Sequence, residues 1–238
     1  MLDTKQIQPT FEKAGAACRS PLSLLALAYN IAQTAAWCHC GFLLYLAVGH
    51  DVFNGELLAS ATWPAVGSSV VLAQSLALVE PLLCLLGVIK SKIGTVIMQL
   101  LVRNIVLLLA VNRHFELQHH LSVFLFMLAW ILSEIVRFPW LTLKVLGSPP
   151  PLLSLLRYTL PLILYPLGGI GEAWTMWRAR SVLPSTDVLF HVGGNDLSLT
   201  HVVHYVYMPA YIPGFVFLYW TALLRFKKEY RNFKKKIE

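Results

Sequence analysis

Long apolar runs alternate along the chain with short polar breaks, and the runs fall near residues 22–48, 66–89, 94–111, 121–143, 152–174 and 203–224. Each is close to the ~20 residues with which an α-helix crosses a ~30 Å hydrocarbon core. The pattern predicts an all-α fold, a polytopic bundle of six transmembrane helices. It forms one domain over 1–238, with a leader (1–20) and a basic tail (225–238). The breaks around 90–93, 112–120 and 144–151 are short, so neighbouring helices must pack antiparallel. Pro149, Pro150 and Pro151 end one run and start the next, where a backbone N–H is dispensable. The segment 175–202 is the only sizeable polar stretch, and Pro184, Gly193, Gly194, Asn195 and Asp196 mark it as turn-rich. In the last run, Pro209 and Pro213 should kink the helix. Its Tyr205, Tyr207, Tyr211, Tyr219 and Trp220 read as an interfacial aromatic belt.

Composition agrees with a membrane protein: 57% of residues are hydrophobic and only 13% charged, against roughly 25% charged in a soluble domain. The first run is too long for a signal-peptide core, so it is read as a span. The net charge of +7 needs no nucleic-acid partner, because the cations are sorted by loop. Lys5, Lys13 and Arg19 lie in the leader, Lys90 and Lys92 in the second loop, and Lys144 in the fourth. The tail holds Arg225, Lys227, Lys228, Arg231, Lys234, Lys235 and Lys236, and the intervening loops carry few. Cytoplasmic loops attract Lys and Arg, which puts both termini in the cytosol.

Ionisable side chains at membrane depth are costly, so each is read as a site with a partner. Glu80, Glu134 and Glu172 are matched in number by Arg103, Arg137 and Arg157, the balance that a buried network requires. Gln99 and Arg103 stand at i and i+4, and Glu134 and Arg137 at i and i+3, so each pair shares a helix face. For Glu80, Gln99, Arg103, Glu134 and Arg137 the favoured role is an interhelical clamp. Tyr165 and Glu172 are seven positions apart. On a helix that leaves them about 20° from eclipsed and about 10 Å apart along the axis, so both can face one cavity. Pro166, Gly168, Gly169 and Gly171 lie between them. Lost side-chain bulk there makes room for a ligand or, alternatively, for a tight helix-packing seam.

Cys18, Cys38, Cys40 and Cys84 imply no disulfide framework, and those in spans read as small buried hydrophobes. Histidines 114, 119 and 120, and 191, 201 and 204, form no close H-x-x-x-H pair with an acidic ligand on the same helix. No metal is assigned. No nucleotide or phosphate-binding glycine motif occurs.

The stretches Arg157-Tyr158-Thr159-Leu160, Leu164-Tyr165-Pro166-Leu167-Gly168 and Gly171-Glu172 resemble the signature of the membrane-bound very-long-chain (3R)-3-hydroxyacyl-CoA dehydratases, once called protein-tyrosine-phosphatase-like. Tyr29-Asn30, Leu78-Val79-Glu80, Gln99 with Arg103, and Ser133-Glu134-Ile135-Val136-Arg137 extend the likeness. The family's HCxxGxxP string is altered to Leu83-Cys84-Leu85-Leu86-Gly87-Val88-Ile89-Lys90, and the regions 104–120 and 181–200 diverge. The resemblance implies Tyr165 and Glu172 as the catalytic pair, supported by Glu80, Gln99, Arg103, Glu134, Arg137 and Arg157. It also implies an acyl-CoA substrate, no cofactor, and a place in the third step of fatty acid elongation beside the condensing enzyme and reductases. Lys235-Lys236-Ile237-Glu238 resembles a dilysine retrieval signal for the endoplasmic reticulum. Which of Tyr165 and Glu172 serves as acid and which as base stays open, and the CoA phosphates would favour cytosolic cations such as Lys90, Lys92 and Lys144. A non-catalytic scaffold of the elongation complex and a secondary transporter are the rival readings. A transporter would more typically show inverted repeats, and none is visible here.

The cation distribution sets a test of topology. A glycosylation acceptor engineered into 175–202 is expected to be modified, and one added at the C-terminus to stay unmodified; the reverse pattern overturns the orientation.

Overall fold

The computed structural model describes residues 20–56, 59–89, 93–183, 188–192 and 195–237. Within them, six helical segments are long and apolar enough to cross a membrane: Pro21–Asn54, Thr62–Leu85, Ile93–Val111, Leu121–Leu146, Pro151–Val182 and Val202–Lys234. In chain order these are the first to sixth spans. The all-α, six-span expectation holds, and most spans run beyond their predicted ends. Residues 1–19 of the leader lie outside the described residues, as do Lys90 and Lys92.

Local chemistry fixes several ends. The first span starts at Pro21, with the Ser20 hydroxyl accepting the Ser23 N–H at 3.1 Å, an N-cap followed by proline at the first helical position. It stops at Gly55, whose φ of 66° is left-handed, a conformation glycine adopts without penalty. Just before that stop, buried Asp51 accepts hydrogen bonds from Ala59 N, Ser60 Oγ and Ala61 N, tying the first loop to the start of the second span.

The second span departs from the predicted single helix. It runs from Thr62 to Ala77, turns at residues 78–79, and resumes as Glu80–Leu85. Pro81 is the cause: it has no N–H to offer the carbonyl four residues back, that of Ala77, and its ring crowds that carbonyl. Glu80 is buried at the resumed start. In the third span the helix Ile93–Asn104 continues as a π-helical segment, Ile105–Val111. The sixth opens with another, Val202–Tyr207, before Met208–Ile237. That last helix carries straight on through the predicted tail. Between the fifth and sixth spans, β1 (Val188–Val192) and β2 (Asn195–Ser198) form an antiparallel hairpin with an irregularity near Val188–Phe190.

The fourth and fifth spans make the most extensive packing in the bundle, with the first against the fourth and second, and the sixth against the fifth. Gly171 explains how close the central pair comes. A Cβ there would lie 2.7 Å from Phe126 N and 2.8 Å from Ser122 O, so only glycine permits this backbone approach. Buried Trp37, Leu107, Phe126, Met127, Ile131, Phe138 and Met176 fill the centre. By contrast Ile93–Asn104 makes no extensive backbone contact with the fourth, fifth or sixth span. Side chains bridge the gap instead.

Those bridges are charged. Arg103 Nη1 donates to Glu134 Oε1 at 2.6 Å, Arg137 Nε donates to Glu134 Oε2, and Arg137 Nη1 and Nη2 donate to Glu80 Oε1 and Oε2 at 3.0 and 3.3 Å. Glu80, Arg137, Glu134 and Arg103 thus form a chain that links the second, fourth and third spans. Gln99 stands outside this chain. Replacing Arg137 with Met strands the Glu80 carboxylate and is expected to cost about 3–5 kcal/mol, the penalty for an uncompensated buried charge. Thermal unfolding of solubilised protein measures it. An unchanged midpoint would remove the clamp from the structural account.

Candidate active site

The fifth span carries Arg157, Tyr165 and Glu172 in order from its start. Tyr165 and Glu172 both reach the same apolar cavity from this helix. Two cavities meet on this side of the span. The larger, about 400 Å³, is lined by Trp37, Gln74, Lys144, Arg157, Arg225 and Lys228 among others. The smaller, about 300 Å³, has a mostly apolar wall including Met98, Val102, Ile105, Ala129, Val206 and Phe215, and Glu172 is part of it. Gln99, Arg103, Ser133 and Tyr165 line both cavities, and so stand at their boundary. The gap exists because the helical half of the third span makes no extensive backbone contact with the fourth, fifth or sixth span. Both π-helical segments border the apolar chamber through Ile105, Val206 and Tyr207, a placement such segments often take at functional sites.

Glu172 is held on both oxygens. Trp130 Nε1 donates to Oε1 at 2.7 Å, and the Tyr211 hydroxyl lies 2.9 Å from Oε2 and 3.1 Å from the Gly169 carbonyl. A phenol has one proton to donate. With Glu172 ionised, Tyr211 donates to it. With Glu172 protonated, its O–H can donate to the Tyr211 oxygen while Tyr211 turns its own proton to Gly169 O. The carboxyl can therefore change protonation state without leaving a buried polar group unsatisfied. Arg103 stacks over the Trp130 ring at 4.9 Å, which joins the Glu172 cluster to the ionic chain. Tyr165, half-buried, makes no hydrogen bond to any described residue, so its hydroxyl is available to a ligand in either cavity.

Of the eight polar residues singled out in the sequence, Tyr165, Glu172, Gln99 and Arg103 are brought to the apolar chamber. Glu80, Arg137 and Arg157 line the larger cavity, and Glu134 and Arg103 lie there too. The balanced set divides in an unforeseen way: four groups form the clamp, whereas Arg157 and Glu172 do not pair with each other. Arg157 has no hydrogen bond or ion pair among the described residues. The glycines serve both roles left open in the sequence. Gly168 and Gly169 line the chamber, yet a Cβ at Gly168 would come 3.1 Å from Ala129 Cβ and one at Gly169 2.5 Å from the Phe215 ring.

The aromatic belt is corrected. Tyr207, Tyr211, Phe215 and Tyr219 stack in sequence, with centroids 5.2, 6.3 and 6.1 Å apart. This ladder faces the fifth span, where Tyr219 Oη reaches Leu162 O at 3.5 Å. Of the five residues assigned to the belt, Tyr205 and Trp220 are the ones left broadly exposed. The recurrence of aromatics at i, i+4, i+8 and i+12 was the available signal for one helix face. Trp130 had no such signal.

The histidines are dispersed. His119 lies against Ser60 O, His120 caps the fourth span through Ser122, His201 pairs with Ser198, and His204 accepts from Arg180 Nε. Among the described residues His50, Asp51 and Glu56 place ligand atoms within 4.8 Å of one another. The Asp51 oxygens there are already occupied by the first loop.

Residues 74–232 match the family described as protein tyrosine phosphatase-like protein, PTPLA. Among curated proteins, the chain is 29% identical over 225 residues to a mouse protein named very-long-chain (3R)-3-hydroxyacyl-CoA dehydratase 1, covering 91% of this chain and 78% of that one. A Caenorhabditis elegans very-long-chain (3R)-3-hydroxyacyl-CoA dehydratase is 30% identical over 210 residues, covering 85% and 92%. A human protein named very-long-chain (3R)-3-hydroxyacyl-CoA dehydratase 2 is 32% identical over 155 residues, covering 63% and 58%. No solved structure matches. With a match that runs from within the second span through most of the sixth and includes Tyr165, Glu172 and the ionic chain, the chain belongs to the protein tyrosine phosphatase-like, PTPLA, family.

Proposed function

We propose that this protein is a membrane-embedded hydro-lyase that converts very-long-chain (3R)-3-hydroxyacyl-CoA to the trans-2-enoyl-CoA. The observation that carries the reading is the position of Tyr165 and Glu172 at and just beyond the boundary between a cation-rich chamber and an apolar one. A fatty thioester has the same division: a polar carrier, a reacting segment and a hydrocarbon tail. The names of the relatives agree with this reading.

In the reaction a base removes a proton from C2, acidified by the thioester, the C2–C3 double bond forms, and the C3–O bond breaks as an acid protonates the departing hydroxyl to water. The atoms balance without a redox partner or cofactor. Tyr165 and Glu172 share the two proton transfers. The protonation states available to Glu172 through Tyr211 suit either task. The acyl tail follows the apolar wall, which reaches the lipid-facing surface at Leu101 and Val206, both more than half exposed. A tail longer than the chamber can extend into the bilayer. The chain acts as one domain with both termini cytosolic, in the endoplasmic reticulum membrane, alongside the condensing enzyme and reductases of elongation. The loop charges and the dilysine-like ending support that placement. A non-catalytic scaffold would have no use for a Tyr165 hydroxyl without a hydrogen bond among the described residues on the same cavity wall as a doubly held carboxyl.

Tyr165→Phe and Glu172→Gln each remove one proton-transfer group with little change in shape. Each is expected to lower turnover on the order of 10²-fold or more in folded protein, followed as enoyl-CoA formation from a long-chain 3-hydroxyacyl-CoA. The double variant should be little worse than either single one. Near wild-type turnover in both singles would return the scaffold reading. Tyr211→Phe keeps the stacked ladder and deletes the hydroxyl. Losing a hydrogen bond to a charged group predicts a drop of roughly tenfold or more, and unaltered kinetics would show that Tyr211 only packs.

A further inference from the structure

The larger cavity contains more positive charge than the clamp needs. Glu80 and Glu134 are spent on Arg137 and Arg103. Among the described residues that leaves Lys144, Arg157, Arg225 and Lys228 on the lining, with Glu229 as the remaining carboxylate. The four cations come from the end of the fourth span, the start of the fifth and the end of the sixth, so the fold gathers at one mouth what the sequence scatters over 84 positions. Lys144, Arg225 and Lys228 are exposed at the rim, whereas Arg157 is half-buried and has no ion pair or hydrogen bond among the described residues. A desolvated guanidinium without an acceptor is a costly arrangement unless an anion completes it.

The same cavity has a second set of unused groups. Trp37 Nε1 and both side-chain amide atoms of Gln74 are buried without a hydrogen-bond partner among the described residues, on residues only 1% exposed, and both residues line this chamber. A hydrocarbon tail cannot satisfy them. A polar arm carrying amides and hydroxyls can.

We propose that this chamber is a phosphate-binding vestibule in which Arg157, Arg225, Lys228 and Lys144 hold the phosphate esters of the acyl carrier's nucleotide, with Trp37 and Gln74 offering hydrogen bonds to its amide-bearing arm. The inference rests on the acyl-CoA reading above and gives it a direction: the nucleotide enters from the end bearing the 144–151 loop and the sixth-span terminus, and the thioester reaches Tyr165 with its tail in the apolar chamber. Phosphate esters also occur on anionic lipid headgroups, and the test separates the two sources.

Binding is measured on the full chain in nanodiscs of neutral phosphatidylcholine, with free coenzyme A, dephospho-coenzyme A and pantetheine as probes, so that no turnover is needed. The wild-type protein is expected to bind coenzyme A more tightly than pantetheine, with the difference shrinking as salt is raised. Arg157→Gln and Lys228→Gln should each weaken coenzyme A binding roughly tenfold, the scale of one lost charge-assisted hydrogen bond, and leave pantetheine binding unmoved. Lys227→Gln removes the same charge from the same helix at a position off the cavity lining and should bind coenzyme A like wild type. Equal binding of coenzyme A and pantetheine, or an equal effect of Lys227→Gln, overturns the site. So does competition by anionic lipid mixed into the disc, if it displaces coenzyme A completely at low mole fraction, because the vestibule would then be a headgroup site. Absence of dehydration in protein that binds coenzyme A as expected would instead sink the catalytic reading and leave the vestibule standing.

Discussion

A charge removed from water must find its opposite, and in this bundle that requirement decides which helices can be neighbours. Glu134 takes two guanidiniums, from Arg103 and Arg137, and Arg137 passes its remaining donors to Glu80. Three spans are thereby registered against one another by groups that would be destabilising alone. The chain then continues by weaker links: Arg103 over Trp130, Trp130 to Glu172, and Glu172 to Tyr211 on the sixth span. The candidate carboxyl therefore sits at the end of the same network that holds the bundle.

The cavities follow from how that network is built. Long side chains span a gap that backbone packing would close, so the helical half of the third span stands off while its π-helical continuation returns to the fifth. On the opposite side Gly171 brings the fourth and fifth spans to backbone contact. Close packing on one face and bridging on the other give the fifth span a rigid back and an open front. Tyr165 and Glu172 both line that front, which is what preorganisation would need for the proposed proton transfers.

Much of this was legible in the chain. Run lengths gave the six spans, and the seven-residue spacing put Tyr165 and Glu172 on one face. Helical spacing also put Glu134 and Arg137 on one face, and Arg137 both pairs with Glu134 within the helix and reaches out to Glu80. What was hidden needed the third dimension. Counting three acids and three bases suggested one closed set, but only the packing shows that Arg157 lies with Lys144, Arg225 and Lys228 whereas Glu172 is held by an indole and a phenol. Pro81 was in plain view, yet the apolar run across it masked the break. The sixth-span tyrosines were assigned by composition to an interface, although their four-residue recurrence already described a single stacked face. Trp130 carried no local sign at all, since an indole in an apolar run is also an ordinary core residue.

The family's phosphatase-like name invites a thiol mechanism, and the placement of the cysteines opposes it. Cys40 is buried in the main core and Cys84 packs against Ala77, Val96 and Leu100, while neither lines the two chambers that meet at Tyr165. A nucleophilic thiolate needs an electropositive, partly exposed setting. The cations of this protein are directed elsewhere, into the ionic chain and around the vestibule. What remains is a phenol at the chamber boundary with no hydrogen bond among the described residues and, in the apolar chamber, a carboxyl that can change its protonation state with satisfied partners, a pairing that supports the proposed proton transfers better than covalent catalysis.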